Sequence, residues 1–212
     1  MFKINTRKCL VCKTKFEVKS NFHWLCSAEC ARVKVNEALE KKKAQIKKTE
    51  WTKEKAQLKI STHTKEYKKA LQNEINKLSR MIDAKFNNIT CIDCNKTFGK
   101  QIDAAHFHST GSNSSLRYHL DNLHSAKSDC NQYSNKHISG YKLGLIDRYG
   151  KVYAEYVIEQ LPLMYPLLKL TNNEIYEKLA IVRKLVRDFD TFKFDNALMA
   201  RLQLNKIIGI YH

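Results

Sequence analysis

His106 is the side chain whose neighbours in sequence best equip it for chemistry. Asp103 precedes it in Asp103-Ala104-Ala105-His106. Asn122 follows, then Asn131 directly after Cys130, with Asn135 one helical turn beyond. Neutral imidazole accepts a proton at pH 7, and carboxylate and carboxamide oxygens suit Mg2+ or Mn2+ better than zinc. A base that activates water beside an oxygen-held divalent ion can hydrolyse a phosphodiester. The roles that follow are His106 as general base, Asn122 as the group that orients it by bonding the loop backbone, and Asp103, Asn131 and Asn135 as Mg2+ or Mn2+ ligands. Singly, these residues read as a core histidine, turn asparagines and a helix cap; only their joint spacing favours a site. Strand alternation puts His106 and His108 on one face and Asp103 on the other. Arg117 either clamps a phosphate or covers the sheet.

The cysteines supply metal-ligand spacing of a different kind. Cys9-x2-Cys12-x13-Cys26-x3-Cys30 is the pattern of a closed tetrahedral zinc site, with two thiolates in a knuckle and two at a helix start that Ser27 can cap. Such a site has no open coordination position and is structural. Cys91-x2-Cys94 with Cys130 forms a second, incomplete group. Seven cysteines is an odd number, and the first residues lack the apolar core of a secretion signal, so thiols and metal ligands are expected rather than disulfides.

These groups are held by a chain of 212 residues with 38 Lys+Arg against 21 Asp+Glu, a net +17 that makes a polyanion the default partner. No apolar run is long enough to span a membrane. Residues 31–85 contain neither Pro nor Gly and carry 16 Lys/Arg against 7 Asp/Glu, which reads as helix. Up to Lys59 this stretch is too polar to bury, and its Lys41, Lys42, Lys43, Lys47 and Lys48 are candidate DNA-backbone contacts, as is Lys127. From Tyr67, the residues Leu71, Ile75, Leu78, Ile82 and Phe86 form one apolar stripe, for packing on the core or pairing two chains, with a break near Ser61–Thr64 and Thr64 as N-cap. Further on, Val152, Tyr156, Val157 and Leu161 make a stripe, Pro162 and Pro166 bound a loop, and Thr171-x2-Glu174 is a capping box before Ile175, Leu179, Val182, Leu185 and Phe189. The expected fold is α+β and mostly helical, in four regions. These are an N-terminal four-cysteine zinc knuckle (1–35), a long basic helical region (36–87), a ββα-metal, treble-clef-like core (88–150) and C-terminal helices (151–212).

Cys91-x2-Cys94, Asp103 to His106, Asn122 and Cys130-Asn131 together resemble the HNH (His-Me finger) nucleases. Over residues 7 to about 188 the chain is similar to the NinG (Rap) recombination proteins of lambda-like bacteriophages. The similarity rests on Cys9 and Cys12, Trp24-Leu25-Cys26-Ser27, the Lys-rich helix, Cys91-Ile92-Asp93-Cys94, Asp103 to Phe107, Leu116-Arg117-Tyr118, Asn122-Leu123-His124, Cys130-Asn131-Gln132 and Tyr141 through Gly150. The Cys130-Asn131 step also resembles phage endonuclease VII. The resemblance implies a metal-dependent endonuclease for branched DNA such as Holliday junctions and D-loops, with His106 as base, Asn131 on the metal, and a homodimer to cut two strands. In a phage-encoded protein, it implies location in the host cytoplasm. Two positions depart from the pattern. Ala105 stands where an acidic metal ligand often precedes the His, leaving Asp103 as its substitute. Lys127 stands where a fourth cysteine would be, so His124 supplies the fourth zinc bond, or three ligands suffice, or packing replaces the metal. The rival expectation is a non-catalytic, zinc-dependent DNA- or RNA-binding protein with a decayed core.

Overall fold

The computed structural model describes residues 5–99, 101–133 and 137–211, so Asn135 lies outside the described residues. The chain divides into two compact units, 1–59 and 60–212. Helix dominates, with two small antiparallel sheets.

In the first unit, β1 (Thr6–Lys8) pairs with β2 (Lys15–Glu17), and Cys9-x2-Cys12 sits in the turn between them. Arg7 lies over the Trp24 ring at 3.6 Å and reaches the Asn21 carbonyl, which ties the segment before Cys26 to the hairpin. Ser27 Oγ accepts the Cys30 amide at 3.3 Å where α1 (Ala28–Thr62) begins. α1 buries none of its side chains, in keeping with its unpatterned sequence.

The second unit is organised around α2 (Thr64–Lys85). Its stripe is fully used: Leu71, Ile75, Leu78 and Ile82 are inaccessible and pack with α7 (Asn172–Arg187) and α8 (Ala197–Ile208). The stripe is therefore not a seam for pairing two chains, because the chain's own core occupies it. Thr64 opens α2 instead of capping it, and its hydroxyl donates back to the Ile60 carbonyl. This unit, 60–212, takes in the expected regions 88–150 and 151–212 together with the end of the expected 36–87 region. β3 (Ile102–His106) pairs with β4 (Leu123–Lys127), with His106 opposite Leu123 and Asp103 opposite Ala126. Ala104 faces the α2 core, whereas Ala105 faces a second core of Cys91, Ile92, Tyr141, Leu145 and Val157. α3 (Ser128–Tyr133) follows β4 without a loop, and α4 (His137–Tyr149) covers the second core.

The next helix departs from its expected register. α5 (Lys151–Glu155) runs through a π-helical turn at Tyr156–Gln160 into α6 (Leu161–Met164). The buried positions are Ala154, Val157 and Leu161, and Val152 stands 82% exposed. The wider turn adds a residue per loop of helix and shifts the face. Pro162 lies in the first turn of α6, where its missing N–H costs nothing. The capping box at Thr171 and Glu174 has both its bonds, and Ile175, Leu179, Val182, Leu185 and Phe189 are buried.

α4 meets the Cys91–Cys94 turn through two glycines one helical turn apart. A Cβ on Gly144 would run into the Ile92 carbonyl oxygen, and one on Gly140 into that of Asp93. The obstacle is backbone between two cysteines, which cannot rotate away. Gly144→Ala should therefore destabilise the second unit by about 1–3 kcal/mol, as overpacking does. Urea unfolding checks this, and a loss near zero would show that α4 does not sit this close.

Candidate functional site

His106 ends β3. Its Nε2 lies 3.0 Å from the Arg117 carbonyl oxygen. A carbonyl can only accept, so Nε2 carries the hydrogen and Nδ1 carries the lone pair. Burial pulls the imidazole pKa below its usual value, and the nearby Arg117 charge adds to that, partly opposed by the Arg117 carbonyl. The ring is half-buried and lines a groove with Lys65, Lys68, Lys69, Gln72, Asn73, Thr110 and Arg117. α2 thus has two working faces, one apolar and one cationic. The sequence reading does not single out the lysines at 65, 68 and 69; their i, i+3, i+4 spacing beside the apolar stripe is the available signal.

The 107–122 loop brings the Arg117 carbonyl to His106, and Asn122 staples it. Asn122 is inaccessible. Its Oδ1 accepts the His108 amide at 2.8 Å, and its Nδ2 donates to the carbonyls of His108 and Leu116 at 3.0 and 3.1 Å. β3 stops at His106, and His108 turns to bond the Val157 carbonyl, so the two histidines do not share a strand face.

Asp103 and Asn131 come together on the opposite side of β3 from His106. Asn131 Nδ2 donates to Asp103 Oδ2 at 3.1 Å. A carboxylate and, with the Asn131 amide turned over from its bond to Asp103, a carboxamide oxygen are the donor types that suit Mg2+ or Mn2+. His137 Nδ1 is 2.7 Å from Asp93 Oδ2 in the Cys91–Cys94 knuckle. That hydrogen bond raises the His137 pKa, helped by the carbonyl of His106.

Two thiol clusters have metal-ligand geometry. The Sγ atoms of Cys9, Cys12, Cys26 and Cys30 lie within 4.8 Å of one another, as do those of Cys91, Cys94 and Cys130. Cys12–Cys26 and Cys26–Cys30 are 3.3 and 3.6 Å apart, and Cys130–Cys94 is 3.6 Å. Sulfurs around zinc at about 2.3 Å in a tetrahedron stand about 3.8 Å apart. Both clusters can bind zinc. Their knuckles repeat one backbone pattern. The Cys9 amide bonds the Thr14 carbonyl and the Lys13 amide the Cys9 carbonyl; the Cys91 amide bonds the Lys96 carbonyl and the Asn95 amide the Cys91 carbonyl. Lys13 and Asn95 take the same left-handed φ, 64° and 53°. Without a cation not every thiol ionises. Cys26 is pushed up to about 12, first by its hydrogen bond with Cys12, and Cys130 up to about 12, first by burial.

His124 does not join the second cluster. It is inaccessible, its Nδ1 is 2.9 Å from the Tyr141 hydroxyl, and burial holds its pKa well below the usual value. Lys127 is the β4 residue beside the thiols, and its amide donates to Cys91 Sγ at 3.2 Å. His124 is three residues up the strand, about 10 Å away. Lys41, Lys42, Lys47 and Lys48 lie exposed on α1, and Lys43 is paired with Glu40 at 2.9 Å.

Arg201, Asn205 and Tyr211 give no sequence signal, yet all three hold the stapled loop. Arg201 Nη1 donates to the carbonyls of Leu120 and Leu123, and its Nη2 is 2.7 Å from Asp83 Oδ1. Asn205 Oδ1 accepts the Leu120 amide, and the Tyr211 hydroxyl accepts the Tyr118 amide and donates to the Ser115 carbonyl.

A two-stranded sheet, a stapled crossing loop, a short helix and a thiol knuckle able to hold a metal define a small α+β module within the second unit. The chain belongs to the NinG family, described as Bacteriophage Lambda NinG protein, whose model matches residues 1–191. No curated protein and no solved structure matches it. Among the described residues no helix is long and apolar enough to cross a membrane.

Proposed function

We propose that this protein is a metal-dependent endodeoxyribonuclease of the HNH type that cuts branched recombination intermediates such as Holliday junctions and D-loops. The observation that carries the reading is the fixed tautomer of His106. Nε2 is committed to the Arg117 carbonyl, Nδ1 has no protein partner among the described residues, and the ring borders a cationic groove. NinG family membership supports the substrate class.

In the reaction, His106 Nδ1 takes a proton from water as its oxygen bonds phosphorus and the P–O bond to the leaving oxygen breaks. Arg117 holds a phosphate oxygen in the groove, and Asn122 keeps the loop, and through it His106, in place. Asp103 and Asn131 are the residues that would hold a Mg2+ or Mn2+, which would supply charge stabilisation at a phosphate; they lie on the face of β3 opposite His106, so the proton transfer at Nδ1 does not draw on it. A homodimer would place two such sites on one junction, which light scattering of the junction complex would show.

The test is nicking of a four-way junction with Mg2+ or Mn2+. Wild type should cut. His106→Ala should lose on the order of 10²–10⁴-fold in rate while binding is kept. Burial lowers the His106 pKa, which keeps the base form present through neutral pH, so the rate should hold there and fall at a lower pH than an ordinary imidazole would give, as the ring protonates. Binding without cleavage in either metal would sink the enzyme reading. It would leave a zinc-dependent nucleic-acid-binding protein, which Ala105 before His106 and Lys127 beside the thiols favour.

A further inference from the structure

The groove beside His106 does not end there. A second hollow, lined by Lys68, Ser114, Arg117, Tyr118, Leu168, Lys169, Leu170 and Ile175, shares Lys68 and Arg117 with it. The two hollows adjoin at Lys68 and Arg117 and lie in a row from His106 past α2 to the segment after α6, a channel in two parts. Lys65, Lys68, Lys69, Arg117 and Lys169 line it, and among the described residues lining it there is no Asp or Glu. None of these five cations is in an ion pair among the described residues, whereas Lys34, Lys43 and Lys151 elsewhere on the surface each have an acidic partner. Surface lysines are normally interspersed with acids, so a lining of one sign marks a site built for an anion. Arg117 Nε is buried without a hydrogen-bond partner beneath this channel. Tyr118, Leu168 and Leu170 give it an apolar wall of the kind that packs on sugars.

We propose that this channel is the track for a DNA phosphodiester backbone, with Lys65, Lys68 and Lys69 contacting phosphates on one side of His106 and Lys169 contacting them beyond Arg117. The proposal rests on the nucleic-acid reading of the His106 site, and it moves the main contact surface from the α1 lysines to α2. A backbone lying in it carries its phosphates past the Nδ1 atom, so one surface both binds and presents the strand. Contacts of this kind read charge and shape, not base sequence.

The test measures binding apart from cleavage. Fluorescence anisotropy of a labelled four-way junction, with Ca2+ replacing Mg2+, is compared for wild type, Lys65→Gln/Lys68→Gln/Lys69→Gln, and Lys41→Gln/Lys42→Gln/Lys47→Gln. All substituted side chains are exposed, and circular dichroism confirms folding. The α2 triple variant should bind at least about tenfold more weakly at 0.1 M salt and flatten the slope of log K against log salt by about 2–3, at about 0.9 for each phosphate no longer neutralised. The α1 triple should change less. An unchanged slope in the α2 variant, or preference for structured RNA over the junction, would overturn the track. If wild type binds in this manner but never cuts with Mg2+ or Mn2+, the track stands and the nuclease reading fails. If wild type cuts and the α2 triple binds as tightly as wild type, the nuclease stands and the track fails.

Discussion

Replacing Arg201 with alanine should cost about 3–5 kcal/mol of stability, as losing one partner of a buried ion pair does. Arg201 is fully inaccessible, and Asp83 is 1% exposed. Asp83 is held from three sides: Arg201 Nη2 at 2.7 Å, the Ser125 amide at 2.7 Å and the Tyr149 hydroxyl at 3.3 Å. With the guanidinium gone, a carboxylate stays buried with only neutral donors, and the carbonyls of Leu120 and Leu123 lose theirs. Those carbonyls flank Asn122, so the loss reaches the loop that holds His106. A double-mutant cycle separates the causes. Arg201→Met with Asp83→Asn removes both charges and fills much of the volume, so it should recover much of the loss. Equal loss in the double variant would show that the carbonyl hydrogen bonds, not the ion pair, carry the energy. A loss under about 1 kcal/mol in Arg201→Ala, measured by urea unfolding, would show that the pair is solvated in solution.

This pair also shows where sequence reading stops. Asp83 lies inside the family match and Arg201 beyond its end at residue 191, 118 positions away in the chain. Periodicity and spacing are local signals, and nothing local ties a helical arginine to a distant aspartate. Local signals serve well where the physics is local. The cysteine spacings match the two thiol clusters, the capping box at Thr171 has both its bonds, and the α2 stripe is buried. Asn122 bonds the loop backbone, as a short amide in a crossing loop is suited to do. His124 is not the fourth thiol-site ligand because the extended rise of β4 carries it to Tyr141 and leaves Lys127, standing where a fourth cysteine would be, at the thiols. Lys65, Lys68 and Lys69 do not stand out in sequence because the richest lysine run lies earlier, on a helix that buries nothing, and density of charge is not placement of charge. Gly140 and Gly144 become meaningful only when α4 is seen against the Ile92 and Asp93 carbonyls.

Withdrawing zinc should unfold the first unit's knuckle and leave the second unit standing. Among the described residues of 1–59, the only buried apolar side chain is Cys9, itself a candidate ligand. The β1–β2 hairpin has three residues per strand, too short for independent stability. A bound zinc contributes on the order of 10 kcal/mol to sites of this kind, and nothing else visible in this unit is of that size. The 91, 94 and 130 cluster differs in kind, because it borders a core that includes Ile92, Phe107, Tyr141 and Leu145. Cys26→Ser should therefore abolish protection of residues 5–30 in hydrogen exchange and lower zinc content by one. Cys130→Ser should leave residues 60–211 folded with a smaller stability loss. Protection of 5–30 that survives a chelator would mean that Arg7 on Trp24 and the hairpin bonds suffice, and that the four thiols have another use. The contrast follows from what each knuckle rests on: the first has its thiol cluster and no packed core beneath it among the described residues, whereas the second has a packed helix, and there the Lys127 amide already donates to one sulfur.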